Sequence, residues 1–361
     1  MTNSSIGIVE LCTLQERCLT TSDKEEWRKQ LPASRSVFGS VEYATVCEKF
    51  RGFVPRLYVV KSDVASICHP MLLRPVSDLP FAVSVGGKWD STTPDYTGPL
   101  VHGRDDDLFE QFSYLHAAFA RGHGIIAEFA HLHPWSGGRE LLREGCEYNR
   151  DIVWIDVRQS PKHIFERDLD RSCRNKIRKA QRSGVRIVAD SSDRALHEFY
   201  RIYAGTMRRN QALNSYYLPL EFFRAIRDTL PENARFVFAE HSGNTVAAYL
   251  YMHDDKDVFS FLGGADADFS HLAPTNLVVW DTIEWAHQAG KRRLILGAGY
   301  RPNDGVYQFK ASFSPLRQPF HVYKRIHRQD DFARLDQRCR EYTGIGDENV
   351  DFFPSYRCVT R

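Results

Sequence analysis

The stretch LILGAGYRPNDGVYQFKASFSP, residues 294–315, decides how the chain is read. It opens on an apolar, strand-forming run of Leu294, Ile295 and Leu296. Gly297, Gly299 and Gly305 follow among the turn formers Pro302, Asn303 and Asp304, and then an aromatic-basic cluster, Tyr307, Phe309 and Lys310. A strand that runs into glycines brings backbone N–H groups close to a ligand, because no Cβ blocks the approach. A lysine beyond that turn is a point charge with three donors, suited to a phosphate or to a developing oxyanion. The same residues also fit a solvated hairpin with Lys310 in water, since lysines are mostly exposed.

Upstream of this stretch the pattern is regular. Residues 274–289 have a helical spacing, with Pro274 near the start and Gly290 past the end. Three strands precede it at 235–240, 245–253 and 258–263, joined by short turns. Helices are predicted at 195–209 and 220–230, and a strand at 185–189. The order is strand, two helices, three strands, helix, strand. The first half repeats it more loosely: a strand at 6–14, helices at 22–30 and 37–50, strands at 57–60 and 65–73, a helix at 108–120, and strands at 125–129 and 151–157. This predicts two related α/β units, 1–165 and 166–361, each a mixed, mostly antiparallel sheet flanked by helices. A strand at 320–325, a helix at 330–342 and an irregular tether are expected to finish the chain.

Composition sets limits. A chain of 361 residues, 42% hydrophobic and 26% charged, can bury substantial cores. A formal net charge of only +2 gives no global field for a polyanion, so any such site must be local. The eight cysteines include no C-x-x-C pair, which points to reduced intracellular thiols rather than a disulfide staple or zinc site. The start of the chain lacks a signal-peptide pattern, and no apolar run approaches the length of a membrane span. A cytoplasmic monomer is the expectation.

Three further stretches carry candidate chemistry. Residues 171–186, RSCRNKIRKAQRSGVR, hold seven Arg or Lys residues and no acid. On a helical wheel Arg171, Arg174, Arg178 and Arg182 share one face, with Lys176 and Lys179 beside it. Like charges at this spacing weaken a helix unless something anionic offsets them, so a phosphate-rich partner is favoured over a merely solvated face. Residues 86–100, GGKWDSTTPDYTGPL, read as a long ordered loop carrying Asp90, Asp95 and Tyr96. A polar-aromatic loop at 210–219 carries Tyr216 and Tyr217. His131 and His133 alternate along an extended segment, but no third ligand lies nearby, and no metal is expected.

Four signatures in this order resemble the Fem family of peptidyl transferases and its relatives with a BioF-like acetyltransferase domain. They are Tyr96-Thr97-Gly98-Pro99, FAHLHP at 129–134, RNKIRKAQRSGV at 174–185, and LGAG…DGVYQFKASFSP within 296–315. The resemblance covers roughly residues 37–320 and implies a tandem of two GNAT-like domains. It also implies transfer of an aminoacyl group from aminoacyl-tRNA to the amino group of a peptide or peptide-bearing precursor, without a further cofactor. The family's Phe-Lys pair falls on Phe309 and Lys310, with the lysine at the oxyanion. Arg209 and Tyr217 fall on the segment that contacts precursor phosphate, and Tyr96, Tyr216, Tyr300 and Tyr307 complete the expected substrate surface. Two departures stand out: PDYTGP is about a residue shorter than the family's loop, and the long helical arm of some cell-wall members is missing.

On this reading the acceptor amine attacks the activated ester directly, and catalysis is positioning plus charge stabilisation. Lys310 stabilises the oxyanion, Phe309 and Tyr307 stack the terminal adenine, and Arg171, Arg174, Lys176, Arg178, Lys179 and Arg182 hold tRNA backbone. Asp90, or Asp95 if it is not simply a turn cap, takes the amine proton. The rival donor is an acyl-CoA. Its diphosphate loop, [Q/R]-x-x-G-x-[G/A] opening a helix, is matched only by Gln181–Arg186, which ends in Arg and precedes a strand. A third reading is a non-catalytic RNA- or polymer-binding module of the same fold, against which the intact Phe309-Lys310 pair argues.

Overall fold

The computed structural model describes residues 14–31, 36–82, 86–344 and 352–360, and the strand expected at 6–14 lies almost wholly outside them. The N-terminal half has β1 (Gln15–Leu19), α1 (Lys24–Gln30), α2 (Val41–Arg51), β2 (Val54–Lys61), β3 (Ala65–Pro75), β4 (Trp89–Thr92), β5 (Leu100–Gly103), α3 (Asp106–Gly122), β6 (Ile125–His131), α4 (Gly138–Leu142) and β7 (Cys146–Asp156). A short α5 (Pro161–His163) and a π-turn (Ile164–Asp168) lead into α6 (Arg171–Arg182). The C-terminal half has β8 (Arg186–Ala189), α7 (Asp193–Arg209), α8 (Leu220–Thr229), β9 (Ala234–His241), β10 (Asn244–His253), β11 (Asp257–Ala265), α9 (Pro274–Gln288), β12 (Arg293–Gly297), α10 (Gly305–Ala311), β13 (Arg317–Ile326) and α11 (Gln329–Thr343).

The two halves repeat one order, as the sequence predicts, but they do not form two separate sheets. All thirteen strands join in one sheet, β1-β2-β3-β4-β6-β13-β7-β12-β11-β10-β9-β8, with β5 also on β3. Each half gives its last strand to the other. β13 pairs with β6, β7 pairs with β12, and β7 and β13 meet in the middle, all antiparallel. A cut at 165/166 therefore severs three hydrogen-bonded ladders, which the local pattern of either half cannot reveal.

The sheet separates two apolar layers. On one face α2, α7 and α8 cover Phe199, Tyr203, Phe222, Phe236 and Leu250, together with Phe38, Tyr43 and Phe320. On the other, α6 and α9 cover Val153, Ile155, Val237, Val246, Ile283 and Leu294. Strand alternation sends neighbouring residues of β7, β9 and β12 into opposite layers. Each half also has a single parallel pair, made by a helix crossing over: β4/β6 around α3, and β11/β12 around α9. β11 and β12 pair only over Asp257–Arg293, Val258–Leu294 and Phe259–Ile295. Beyond that register each follows its outer neighbour, and the two strands part, leaving an opening in the ladder.

Candidate active site

Lys310 stands at the mouth of this opening, on a helix and not in a hairpin. Asp304 makes the difference. Its carboxylate accepts from the backbone N–H groups of Tyr307 (2.7 Å), Tyr300 (2.7 Å) and Arg301 (2.9 Å), capping α10 and folding the preceding turn onto it. The Lys310 ammonium donates to the carbonyl of Ala298 at 2.7 Å, just past the end of β12. Burial pulls its pKa down to about 8, with Asp304 acting the other way. A Cβ placed on Gly297, whose φ is +77°, would lie 3.2 Å from the Tyr96 hydroxyl oxygen and 3.5 Å from the Lys310 ammonium. The glycine therefore lets two polar groups from opposite halves of the chain close over one backbone segment.

Tyr96 reaches this point from the loop after β4. Its ring stacks on Phe259 (5.6 Å, 22°) and meets Phe320 edge-on (5.6 Å). Burial raises its hydroxyl pKa to about 12, so it is a donor at neutral pH. Asp95 beside it holds φ +34°, an uncommon conformation for a residue with a Cβ. Its carboxylate accepts from the Tyr43 hydroxyl and from Arg51 (3.1 Å). Arg150 donates to the Gly299 carbonyl at 2.8 Å. The His131 imidazole packs on Phe320 and Phe129, and its pKa is lowered by burial, with Asp95 opposing and Arg150 adding to the shift. Tyr216 and Tyr300 stand at the rim, 42% and 65% exposed. Arg209 donates to the carbonyl of Ala265 at 3.1 Å, at the far end of β11.

The structure thus brings Lys310 and Tyr96 together over Gly297, with Tyr216 and Tyr300 largely exposed, and it gives other sequence candidates different work. Asp90 is only 4% exposed and accepts from the Tyr356 hydroxyl and from Arg357 Nε (2.6 Å). It is the anion of a buried ion pair, not a base facing substrate. The expected tether is instead a 3-10 turn (Ser355–Thr360) that inserts these two partners. Phe309 meets Phe313 edge-on (5.3 Å) and Tyr307 accepts from Arg317 at 2.9 Å, both rings being partly buried against the α6/α9 layer. Tyr217 donates to the Met207 carbonyl (3.3 Å), tying its loop to α7.

Among the basic residues of α6, Arg174 donates to the carbonyls of Phe165, Glu166 and Leu169 and closes the π-turn. Arg178 lies over the Phe165 ring at 5.1 Å. Arg171, Lys176, Lys179 and Arg182 remain on the exposed face, while Cys173, Ile177 and Ala180 anchor the opposite one. The backbone N–H of Asp170, at the start of α6, donates to the Ser312 carbonyl (2.9 Å), so the cationic helix begins against the end of α10. Sequence reading missed Arg51 and Arg150, since isolated arginines carry no spacing signal.

One other titratable cluster lies in the N-terminal half. Glu128, fully buried, accepts from His69 Nε2 (2.8 Å) and His116 Nε2 (2.7 Å), with His327 Nε2 at 3.4 Å. Three of these groups have metal-ligand spacing. A metal-bound imidazole normally gives its other N–H to an acceptor, however, and Nδ1 of all three histidines has no partner. Three Nε2–H donors clamping one carboxylate account for the arrangement. Burial would raise the Glu128 pKa, but His116 and then His327 and His69 hold it well below the usual range. Burial keeps His116 and His327 below 6.5. The unfolded chain therefore binds protons that the folded chain refuses as pH falls below about 6.5, and Glu128 adds to the loss near its unfolded pKa. Stability, and with it the melting temperature, should drop between pH 7 and pH 5. A His116→Gln, His327→Gln variant should show a flatter profile by differential scanning fluorimetry.

The comparisons agree with the fold. Residues 167–311 match the acetyltransferase (GNAT) domain model. The fold is similar to that of FemX, at 12% identity, covering 89% of this chain and 99% of that one with a TM-score of 0.66. It is similar as well to a tandem GNAT protein from the clavulanic acid biosynthesis pathway, at 12% identity, 86% and 98% coverage, and a TM-score of 0.50. A conserved protein from Bacteroides thetaiotaomicron, at 10% identity, 86% and 99% coverage, scores 0.55. No curated protein matches the sequence. Residues 167–311 thus match a GNAT acetyltransferase domain, and the chain as a whole has the fold of FemX and of the tandem GNAT protein. No helix among the described residues is long and apolar enough to cross a membrane.

Proposed function

We propose that this chain forms an amide by moving an aminoacyl group from aminoacyl-tRNA to the amine of a peptide or peptide-bearing precursor. The observation that carries the reading is the meeting of the Lys310 ammonium and the Tyr96 hydroxyl over Gly297, at an open end of the sheet. Both are donors at neutral pH and both face the place where an ester carbonyl entering between β11 and β12 would develop negative charge. Asp95 anchors the acceptor ammonium, whose proton leaves to water or to the neutral imidazole of His131. The acceptor nitrogen then attacks the ester, and the tRNA ribose oxygen departs, protonated in turn.

Two features favour tRNA over CoA. The loop that opens α9 after β11, 266–273, is DADFSHLA, with Asp266 and Asp268 where a diphosphate loop needs glycine and backbone donors. The exposed cations of α6 lie beside the lysine helix instead. Acyl-CoA remains the second reading, favoured by the acetyltransferase model that the C-terminal half matches.

Binding of tRNA should weaken steeply with salt, by about 0.7 to 0.9 in log K per log unit of salt for each phosphate contact. Replacing Arg171, Lys176, Lys179 and Arg182 together by Gln should cut that slope by roughly three. Filter binding from 50 to 300 mM KCl measures it. A variant with unchanged slope would remove α6 from the donor site.

A further inference from the structure

Cys339 on α11 and Cys358 on the C-terminal 3-10 turn place their sulfurs 3.7 Å apart, although 19 residues separate them in sequence. Cys339 is buried and Cys358 partly exposed. No other pair among the seven described thiols is in contact. The neighbours of Cys358 are Tyr356 and Arg357, which hold Asp90 on β4, and Arg357 also donates to the Pro75 carbonyl of β3 at 2.7 Å. β4 ends at Thr92, and the loop that follows delivers the Tyr96 hydroxyl to Gly297, beside Lys310. The C-terminal turn is thus a strap across the strand from which the active-site loop departs.

We propose that Cys339 and Cys358 are a disulfide-forming pair whose oxidation locks this strap and stiffens the Tyr96 loop. The oxidant is a low-molecular-weight disulfide. The Cys358 thiolate attacks one of its sulfurs and expels a first thiolate. Cys339, once deprotonated, attacks Sγ of Cys358 and expels the second. Two cysteine thiols and one small disulfide become one protein disulfide and two small thiols, with two electrons passing from the cysteines to the oxidant. Burial makes Cys339 the slow partner, its pKa being pushed up to about 12. A cross-link between these segments restrains the unfolded chain as well as the strap.

The test uses the full chain, fully reduced or equilibrated with excess oxidised glutathione, then alkylated and digested without reductant. The expected product is a peptide pair joined through Cys339 and Cys358, 2 Da lighter than the free peptides. It should be missing in both Cys339→Ser and Cys358→Ser, and the melting temperature of the wild type should rise by a few degrees on oxidation. Amide hydrogen exchange across 89–99 should slow several-fold in the oxidised wild type and stay unchanged in Cys339→Ser. Cys358 stopping at a mixed disulfide with glutathione, or both thiols remaining open to alkylation, would overturn the pairing. A formed cross-link with unaltered exchange across 89–99 would overturn the strap. None of these readouts depends on the acyl donor.

Discussion

Replacing Lys310 by Met should lower kcat by about 10²–10³-fold, the usual cost of removing one preorganised oxyanion donor, while KM for the acceptor changes little. The fold should survive, because the ammonium makes its hydrogen bond to a single carbonyl, that of Ala298. The same assignment fixes a pH dependence. With a pKa near 8, Lys310 is cationic below that value and loses its charge above it. The wild-type rate should therefore fall on the alkaline side with an apparent pKa near 8, and the residual activity of Lys310→Met should lack that limb. Arg at 310 keeps the charge but is longer and planar, so it should recover only part of the rate.

The largest effect on stability should come from Arg357. Replacing it by Met leaves the Asp90 carboxylate buried with the Tyr356 hydroxyl but without its cation. Breaking a buried ion pair from one side typically costs about 3–5 kcal/mol. Denaturant unfolding should show that loss as a lower midpoint. Asp90→Asn in the Arg357→Met background should restore a good part of it, since a neutral amide is far cheaper to bury than an unpaired charge. Were Asp90 the catalytic base, Asp90→Asn would abolish turnover at full stability, which is the opposite pattern.

These two cases mark how far the sequence can be read. Periodicity and turn chemistry are local, and they predict the repeated strand–helix order and the glycine-rich exit of β12 that places Lys310. The fold class follows from them. Long-range exchanges are invisible to such patterns. β7 and β13 have the same alternation whichever half they pair with, so nothing local reports that they trade places. Asp90 looks like a free loop carboxylate because its arginine lies 267 residues away. The charges of α6 appear equivalent on a helical wheel, yet Arg174 and Arg178 are claimed by the π-turn and Phe165. Even α10 turns on one residue, Asp304, whose capping bonds make a helix where the residues also fit a hairpin.

The donor is the central claim, and it yields to one direct comparison. Purified chain is given an amine-bearing acceptor pool with either a tRNA pool charged with radiolabelled amino acids or radiolabelled acetyl-CoA, each with and without prior RNase treatment. Labelled amide is expected from the charged tRNA alone, abolished by RNase and by Lys310→Met. Label passing from acetyl-CoA regardless of RNase, with charged tRNA inert, would contradict it.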